Sequence, residues 1–184
     1  MISKIKYIAF YMLYYRNSII NIINKNHISS LLEINKHFLH IHNIKILCLD
    51  FDGVLGFYKS NTILPKIKIW LKYITSIFSE SCIYIISNNH YHKREKYFID
   101  RFPGIHFIKG FPSKPYPHSL YKIVSISNIK PKNILMVDDR LLTGILASCI
   151  VGTKSLYITL PYAKKSFLEF YFHFLRFMER LFFI

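Results

Sequence analysis

Acidic side chains are scarce in this chain of 184 residues, which has 10 Asp and Glu against 25 Lys and Arg and a net charge of +15. Four of the ten acids stand in two close pairs, Asp50 with Asp52 and Asp138 with Asp139. This grouping of rare carboxylates indicates a chemical use for them. The positive surplus favours an anionic partner such as phosphate, nucleic acid or a membrane surface, although abundant Ile, Lys, Asn, Tyr and Phe are also typical of an AT-rich genome.

Cysteine is also rare, and Cys48, Cys82 and Cys149 fall in apolar segments without metal-ligand spacing. This argues against a cysteine-bound zinc site and predicts buried free thiols in a reducing, intracellular compartment. The uncharged run at residues 7–15 is too short to cross a bilayer, which needs about 20 apolar residues. The chain shows no internal repeat and no low-complexity linker, so its length predicts one domain.

The most informative stretch is residues 46–54, where an apolar run ends in Asp50 and Asp52 and is followed by Gly53. The run predicts a buried, central, parallel strand. Carboxylates are costly to bury unless they are paired or bind a metal, and ligands of open α/β sheets lie beyond the carboxyl ends of the strands. An ordinary polar turn is the alternative. A calcium loop fits poorly because its glycine belongs at position six, whereas Gly53 is fourth.

Short apolar segments alternate with helical patterns along the chain, which predicts an α/β fold with a Rossmann-like parallel sheet flanked by helices. The predicted strands are residues 45–49, 82–86, 105–109, 134–137 and 156–158. The predicted helices are residues 65–79, 91–101, 117–126, 141–149 and 164–184. We divide the chain into a basic amphipathic helical segment (1–40), the α/β domain (41–163) and a C-terminal amphipathic helix (164–184).

Both terminal segments are apolar and basic. Residues 1–40 contain a single acid, Glu33, and this segment could lie in a membrane interface, pack on the domain or serve as a targeting presequence. In the last helix, Glu169, His173, Arg176 and Arg180 form one narrow polar stripe. The remaining surface of that helix is wide and apolar, so it must be buried in the domain, in a partner or in a membrane interface.

Polar clusters follow the predicted strands, and the carboxyl ends of parallel strands share one edge of a sheet. The clusters are Asp50/Asp52, Ser87/Asn88, Lys114 and Asp138/Asp139. Several carboxylates without zinc ligands suit Mg²⁺. A lysine and a serine can hold phosphate oxygens, while one carboxylate attacks phosphorus and another moves the proton. Alone, Lys114 would be read as a solvated surface lysine and the other clusters as turns or helix caps, but the ordered set is specific.

The order D-x-D-G, S-N-N, K-P and D-D-R-x-x-T, within residues 44–160, resembles the four motifs of the haloacid-dehalogenase-like (HAD) phosphohydrolases. The resemblance implies that Asp50 is the nucleophile of an aspartyl-phosphate mechanism and that Asp52 is the general acid/base. It implies that Ser87, with Asn88 beside it, and Lys114 bind the phosphoryl group. It also implies that Asp139 joins the Asp50 carboxylate and the Asp52 backbone carbonyl on Mg²⁺.

The intervals after the first and second motifs are too short for a cap domain, which predicts a capless enzyme with an open site. Such a site suits a macromolecule or a lipid headgroup. The S-N-N motif, the run at residues 139–143 and the terminal R-F-M-E-R at residues 176–180 are similar to the phosphatidylglycerophosphate phosphatase type of bacteria and mitochondria.

Two positions depart from the pattern G-D-[QR]-x-x-T-D of that type. Asp138 stands in place of its glycine, and Gly144 stands in place of its last aspartate, which would normally support the metal. Asp138, Arg140 and Thr143 are therefore predicted as supporting residues around the site.

The leading hypothesis is a Mg²⁺-dependent phosphatase that acts on a phospholipid phosphomonoester at an anionic membrane, on its cytoplasmic or mitochondrial matrix side. The alternatives are the same chemistry on a soluble or nucleic-acid phosphate ester, and a catalytically weakened membrane-associated protein. Nucleic-acid binding as the main role is disfavoured because the basic residues are dispersed and no reading motif is present. The oligomeric state is left open.

Overall fold

The computed structural model describes residues 3–89, 91–109, 112–163 and 166–183. Six strands form one sheet in which every neighbouring pair is parallel, in the order β1-β6-β5-β2-β3-β4. They are β1 His27–Ile28, β2 Ile46–Leu49, β3 Ile83–Ser87, β4 His106–Lys109, β5 Ile134–Asp138 and β6 Lys154–Ile158. The prediction of a parallel α/β sheet is confirmed.

In the part of the chain that the structure describes, eight α-helices connect and flank the strands. They are α1 Lys4–Tyr14, α2 Arg16–Lys25, α3 Lys36–Ile41, α4 Pro65–Ile77, α5 His92–Arg101, α6 His118–Ser127, α7 Leu146–Val151 and α8 Phe167–Leu181. Short 3₁₀ turns cover Leu31–Glu33, Glu80–Cys82 and Pro131–Asn133, and a π-helical turn, Leu141–Ile145, leads into α7.

The strand period of two assigns neighbouring residues of β2 to opposite faces of the sheet. Leu47 and Leu49 pack in one apolar cluster with residues of α4 and α5. Ile46 and Cys48 pack in a second cluster with residues of α6 and α7. The central strands are therefore covered on both faces, which explains their continuous apolar sequence.

The described residues of the N-terminal segment contain α1, α2 and most of α3, and also a strand that the sequence did not reveal. Ile19 and Ile22 of α2 pack against Tyr157 of β6 and the π-helical turn, whereas α1 has no buried residue. β1 adds to the sheet edge, with His27 opposite Tyr157. The two residues of β1 are too few to show the alternation of a strand. The helical spacing of the apolar residues around them therefore determined the prediction for this segment. Residues 1 and 2 lie outside the described part of the chain.

The intervals between the motifs are compact. Between Asp52 and Ser87 the chain forms a loop, α4 and a 3₁₀ turn, and between Asn89 and Lys114 it forms α5 and β4. The described residues of both intervals contain no cap domain. Residues 90, 110 and 111 are outside the described part of the chain. No described helix is both long and apolar enough to cross a membrane.

Candidate active site

The strand ends bring the predicted polar residues to one edge of the sheet. Asp50 directly follows β2, Ser87 ends β3 and Asp138 ends β5. These three strands are neighbours, with Leu49 of β2 opposite Val137 of β5 and Ile85 of β3. The residues after those positions therefore lie side by side.

Lys114 is the centre of the site. Its Nζ donates to Asp50 Oδ1 at 2.5 Å and to Asp138 Oδ2 at 2.7 Å, and the residue is buried. Burial lowers the pKa of Lys114, but the ion pairs with Asp138 and Asp50 outweigh burial and raise that pKa above its ordinary value. The side chain is therefore held as a cation beside Asp50.

Asp50, Asp138 and Asp139 form a buried carboxylate cluster, with one oxygen from each within 4.8 Å of the others. Burial raises the pKa of Asp50 well above its usual range; Lys114 lowers it, and the neighbouring carboxylates raise it further. Burial also raises the pKa of Asp139, although Arg176 opposes this. Three crowded carboxylates against two cations leave negative charge unbalanced, so this oxygen-rich donor set suits a hard divalent cation.

Asp52 lies apart from that cluster because Arg94 of α5 holds it. Arg94 Nη2 donates to Asp52 Oδ1 at 2.9 Å and Nη1 donates to Oδ2 at 3.2 Å. Asn89 Nδ2 and the backbone N–H of Lys59 also donate to this carboxylate. Arg94 is 0% exposed, and its guanidinium lies 3.6 Å from the ring centroid of Phe51. The position of Asp52 is thus fixed by a clamp whose arginine is fully buried.

Ser87 and Asn88 have different surroundings. The Ser87 hydroxyl is buried, donates to the Asn89 carbonyl at 2.9 Å and accepts from Arg94 Nη1 at 3.0 Å. Asn88 Oδ1 accepts from the backbone N–H of Lys114 at 2.8 Å, and its Nδ2 donates to the Lys114 carbonyl at 3.3 Å. Asn88 therefore fixes the loop that carries Lys114. Phosphate binding by either side chain remains a prediction.

The π-helical turn surrounds Asp138. Asp138 Oδ1 accepts from the Arg140 N–H at 2.8 Å and from Thr143 Oγ1 at 3.4 Å. The Arg140 side chain turns away and pairs with Glu179 of α8, its Nε donating to Oε1 at 2.7 Å. A Cβ at Gly144 would lie 2.0 Å from Asp138 Oδ2. The predicted supporting residues therefore orient Asp138 and tie the turn to α8.

The C-terminal helix completes one wall of the site. Arg176 Nε donates to Asp139 Oδ2 at 2.5 Å, and its Nη2 forms a second ion-pair contact with the same oxygen. The Phe172 ring packs 4.0 Å from that of Tyr58, centroid to centroid. Gly53 has φ +84°, and a Cβ there would lie 2.6 Å from Asp139 Oδ2, so this close approach requires glycine.

These groups surround an open cavity of about 220 Å³. Its lining includes the predicted residues Asp50, Asp52, Asn88, Lys114, Asp139, Arg140 and Thr143. It also includes four residues that were not assigned to the site from sequence: Tyr58, Asn89, Phe172 and Arg176. The polar stripe of the last helix was the available signal for Arg176.

The model of a protein family described as mitochondrial PGP phosphatase matches residues 6–162 of the chain. No curated protein matches this chain significantly.

Solved structures with similar folds include a hydrolase of the haloacid dehalogenase-like family from Streptococcus pneumoniae, with 10% identity and TM-score 0.50 over 67% of this chain and 88% of its own. A protein from Xanthomonas campestris described as hypothetical has 15% identity and TM-score 0.51, and the match covers 73% of this chain and 75% of that protein. A HAD family enzyme from Bacteroides thetaiotaomicron, solved as a magnesium complex, has 14% identity and TM-score 0.49. That match covers 70% of this chain and 98% of the enzyme. At such identities, the first two likenesses show the fold alone.

Proposed function

Because the chain belongs to the mitochondrial PGP phosphatase family, and is thus a phosphatase of the HAD superfamily, we propose that it hydrolyses the phosphomonoester of a phospholipid, phosphatidylglycerophosphate, at a membrane surface. The observation that carries this proposal is the double role of α8. One face of this helix supplies Arg176 and Phe172 to the cavity, while its opposite face exposes a row of aromatic side chains.

The chemistry assigned to the cavity begins with attack of an Asp50 oxygen on phosphorus, which forms an aspartyl-phosphate and releases the alcohol. Lys114 lies against the attacked centre and neutralises phosphoryl oxygens, with Ser87 and Asn88 completing the binding loops. Asp50, Asp139 and the Asp52 backbone carbonyl would hold Mg²⁺, which when bound offsets the charge of the phosphoryl group. The crowded carboxylate cluster is the feature that fits this ion.

Asp52 is assigned the proton transfers, to the leaving oxygen and later from the attacking water. Both of its oxygens accept hydrogen bonds in the clamp with Arg94. Asp52 must therefore loosen part of this clamp when it carries the proton. Arg94 acts in this scheme as a positioning residue that returns the carboxylate to one place between turnovers.

The surroundings of Arg176 support a substrate that carries two phosphate groups. Its Nη1 is buried and has no hydrogen-bond partner among the described residues, and a buried donor without a partner is costly. Because Arg176 lines the cavity, we assign this Nη1 to an oxygen of the phosphodiester that phosphatidylglycerophosphate carries beside its phosphomonoester.

Exposed apolar faces near the site support a bilayer as the partner. On α8, Phe170 is 69% exposed and Phe174 is 52% exposed. On α1, Phe10 is 62% exposed, and this helix contacts the Lys114 loop through Lys4 Nζ, which donates to Ser113 Oγ at 3.0 Å. Aromatic residues and surplus positive charge suit an anionic interface. We place the protein peripherally on the cytoplasmic or matrix side.

Phosphate release from phosphatidylglycerophosphate in anionic vesicles, with Mg²⁺ and with excess chelator, tests the proposal. We expect Mg²⁺-dependent turnover that Asp50→Asn abolishes. Asp100→Asn is the matched control, since it removes the same charge from an exposed position on α5. Full activity of Asp50→Asn would rule out the assigned nucleophile.

The same assay separates the alternatives. Faster turnover of glycerol 3-phosphate or of an oligonucleotide phosphate than of the lipid would favour a soluble or nucleic-acid substrate. No turnover of any phosphoester would favour a weakened, membrane-associated protein.

A further inference from the structure

Helix α1 contacts both ends of the turn that carries Lys114. The Tyr116 N–H donates to the Ser113 carbonyl at 3.2 Å, so Lys114 is one of the two central residues of this turn. From α1, Lys4 Nζ donates to Ser113 Oγ at 3.0 Å. One helical turn later, the Tyr7 ring packs against the Tyr116 ring, with 4.5 Å between the centroids. The two ends of the turn are thus braced from outside the site.

Contacts inside the site act on Lys114 alone. Asn88 binds its backbone N–H and its carbonyl, and its ammonium reaches Asp50. Without the α1 contacts the ends of the turn lose their outer support, and the distance from the ammonium to Asp50 is less sharply fixed. A displacement of about 1 Å in such a group can lower a rate about 100-fold, so the brace matters for catalysis.

The domain holds α1 only weakly. This helix has 11 residues and none of them is buried, and a helix of that length is marginal on its own in water. Tyr11 and Met12 are half-buried in an apolar cluster with α2 and α7. On the outer face, Ile5 is 80% exposed and Leu13 is 68% exposed. A partner that covers this outer face therefore stabilises the helix in its docked position.

Charge selects the partner of that face. Lys4, Lys6 and Arg16 are exposed around it, and residues 1–32 contain no Asp or Glu. An apolar helix face bordered by cations suits the surface of an anionic bilayer.

We propose that Lys4 and Tyr7 are positioning residues for Lys114, and that binding of the outer face of α1 to an anionic bilayer raises kcat by tightening the Lys114 turn. The bilayer favours the docked position of α1, in which both contacts with the turn are made. This inference rests on the proposed phosphatase function for its effect on turnover, whereas the ordering of the turn is measurable without turnover.

A substrate that stays in solution separates the effect of the bilayer from substrate delivery. Hydrolysis of p-nitrophenyl phosphate is measured with and without saturating vesicles of phosphatidylcholine and phosphatidylserine. If the turn is formed about a tenth of the time without lipid, vesicles should raise kcat of the wild type about five- to tenfold, while KM changes less than about twofold. A wild type that binds the vesicles without this activation would overturn the proposal.

Variants of the inner face identify the contact responsible. Tyr7→Ala removes the ring that packs on Tyr116 and should lose the activation, whereas Tyr7→Phe keeps the ring and should retain it. Tyr73→Ala removes an exposed tyrosine of α4 and is the matched control, with activation equal to that of the wild type. Full activation of Tyr7→Ala would rule out the brace.

A variant of the outer face tests the bilayer contact. Ile5→Ser combined with Leu13→Ser should leave the rate without vesicles unchanged and remove most of the activation, even while α8 keeps the protein on the vesicles. This variant decides the question if Tyr7→Ala does not fold. Activation equal to that of the wild type would exclude α1 as the activating surface.

Amide hydrogen exchange follows the turn directly. Vesicles should slow exchange of the Lys114 and Tyr116 N–H groups about tenfold in the wild type and leave it unchanged in Tyr7→Ala. Unchanged exchange in the vesicle-bound wild type would contradict the inference. If exchange slows but the wild type hydrolyses no phosphoester, the proposed function fails and the positioning of the turn by α1 stands.

Discussion

Helices α4 and α8 are similar in length and strongly apolar, yet α4 turns its apolar face toward the domain and α8 turns its polar face toward it. α4 buries Ile67, Trp70, Leu71 and Ile74 against the sheet. α8 turns Glu169, Arg176 and Glu179 inward, where all three are buried, and exposes aromatic residues. The difference follows from what each helix covers: α4 lies on the apolar face of the strands, whereas α8 lies against charged groups at their carboxyl ends.

Each of these buried side chains has at least one partner, although Glu169 Oε2 and Arg176 Nη1 have none among the described residues. Arg176 pairs with Asp139 and Glu179 with Arg140, while Glu169 Oε1 accepts from the Tyr58 N–H at 3.2 Å. Buried charges are tolerated when they are paired in this way. The comparison teaches that α4 serves stability, and that α8 serves the site with one face and an external surface with the other.

The largest effect expected from this comparison is on folding. Trp70→Ala on α4 should lower the free energy of unfolding by about 3–5 kcal/mol, because it empties a core position and removes the bond from Trp70 Nε1 to the Ile34 carbonyl, 2.8 Å long. Phe174→Ala on α8 should change it by less than about 0.5 kcal/mol. Urea titrations measure both. Equal losses would show that the outer face of α8 is not free.

A smaller effect is expected for catalysis. Arg176→Ala removes the partner of Asp139 and the unpaired donor in the cavity, so kcat/KM on the lipid should fall about 100-fold. Arg101→Ala, an exposed arginine of α5, is the matched control. A value within about twofold of the wild type for Arg176→Ala would mean that the inner face of α8 is only structural.

The smallest effect concerns the outer face. Replacing Phe170, Phe174 and Phe177 with serine should weaken binding to anionic vesicles about tenfold or more, as measured by co-sedimentation at low and moderate salt. Serine at Ile69 and Tyr73, exposed on α4, should leave binding nearly unchanged. If both sets of substitutions weaken binding equally, the surface is not specific to α8.

The central strands and the convergence of Asp50, Lys114 and Asp139 follow from simple patterns. Each of these strands is an apolar run that ends in a polar cluster, and parallel strands must end on one edge. The orientation of α8 could not be predicted in this way. Its apolar surface is wider than its polar stripe, and only the charges at the sheet edge decide which face turns inward.

The burial of Arg94 and the proximity of Asp138 and Gly144 also could not be predicted from the sequence. A basic helix start is usually solvated, so nothing indicated that Arg94 is fully buried against Asp52. Asp138 and Gly144 appeared as two separate departures from a family pattern. Their proximity depends on the π-helical turn, which spacing along the chain does not reveal.

Gly53 places an unusual limit on how this protein can vary. It has positive φ and stands so close to Asp139 and Arg176 that any added carbon collides with them. A single nucleotide change at the first or second base of a glycine codon introduces either a residue with a Cβ or a stop codon. Random mutagenesis with selection for turnover should therefore return this codon altered only at its silent third base, although nothing in the proposed chemistry passes through its atoms.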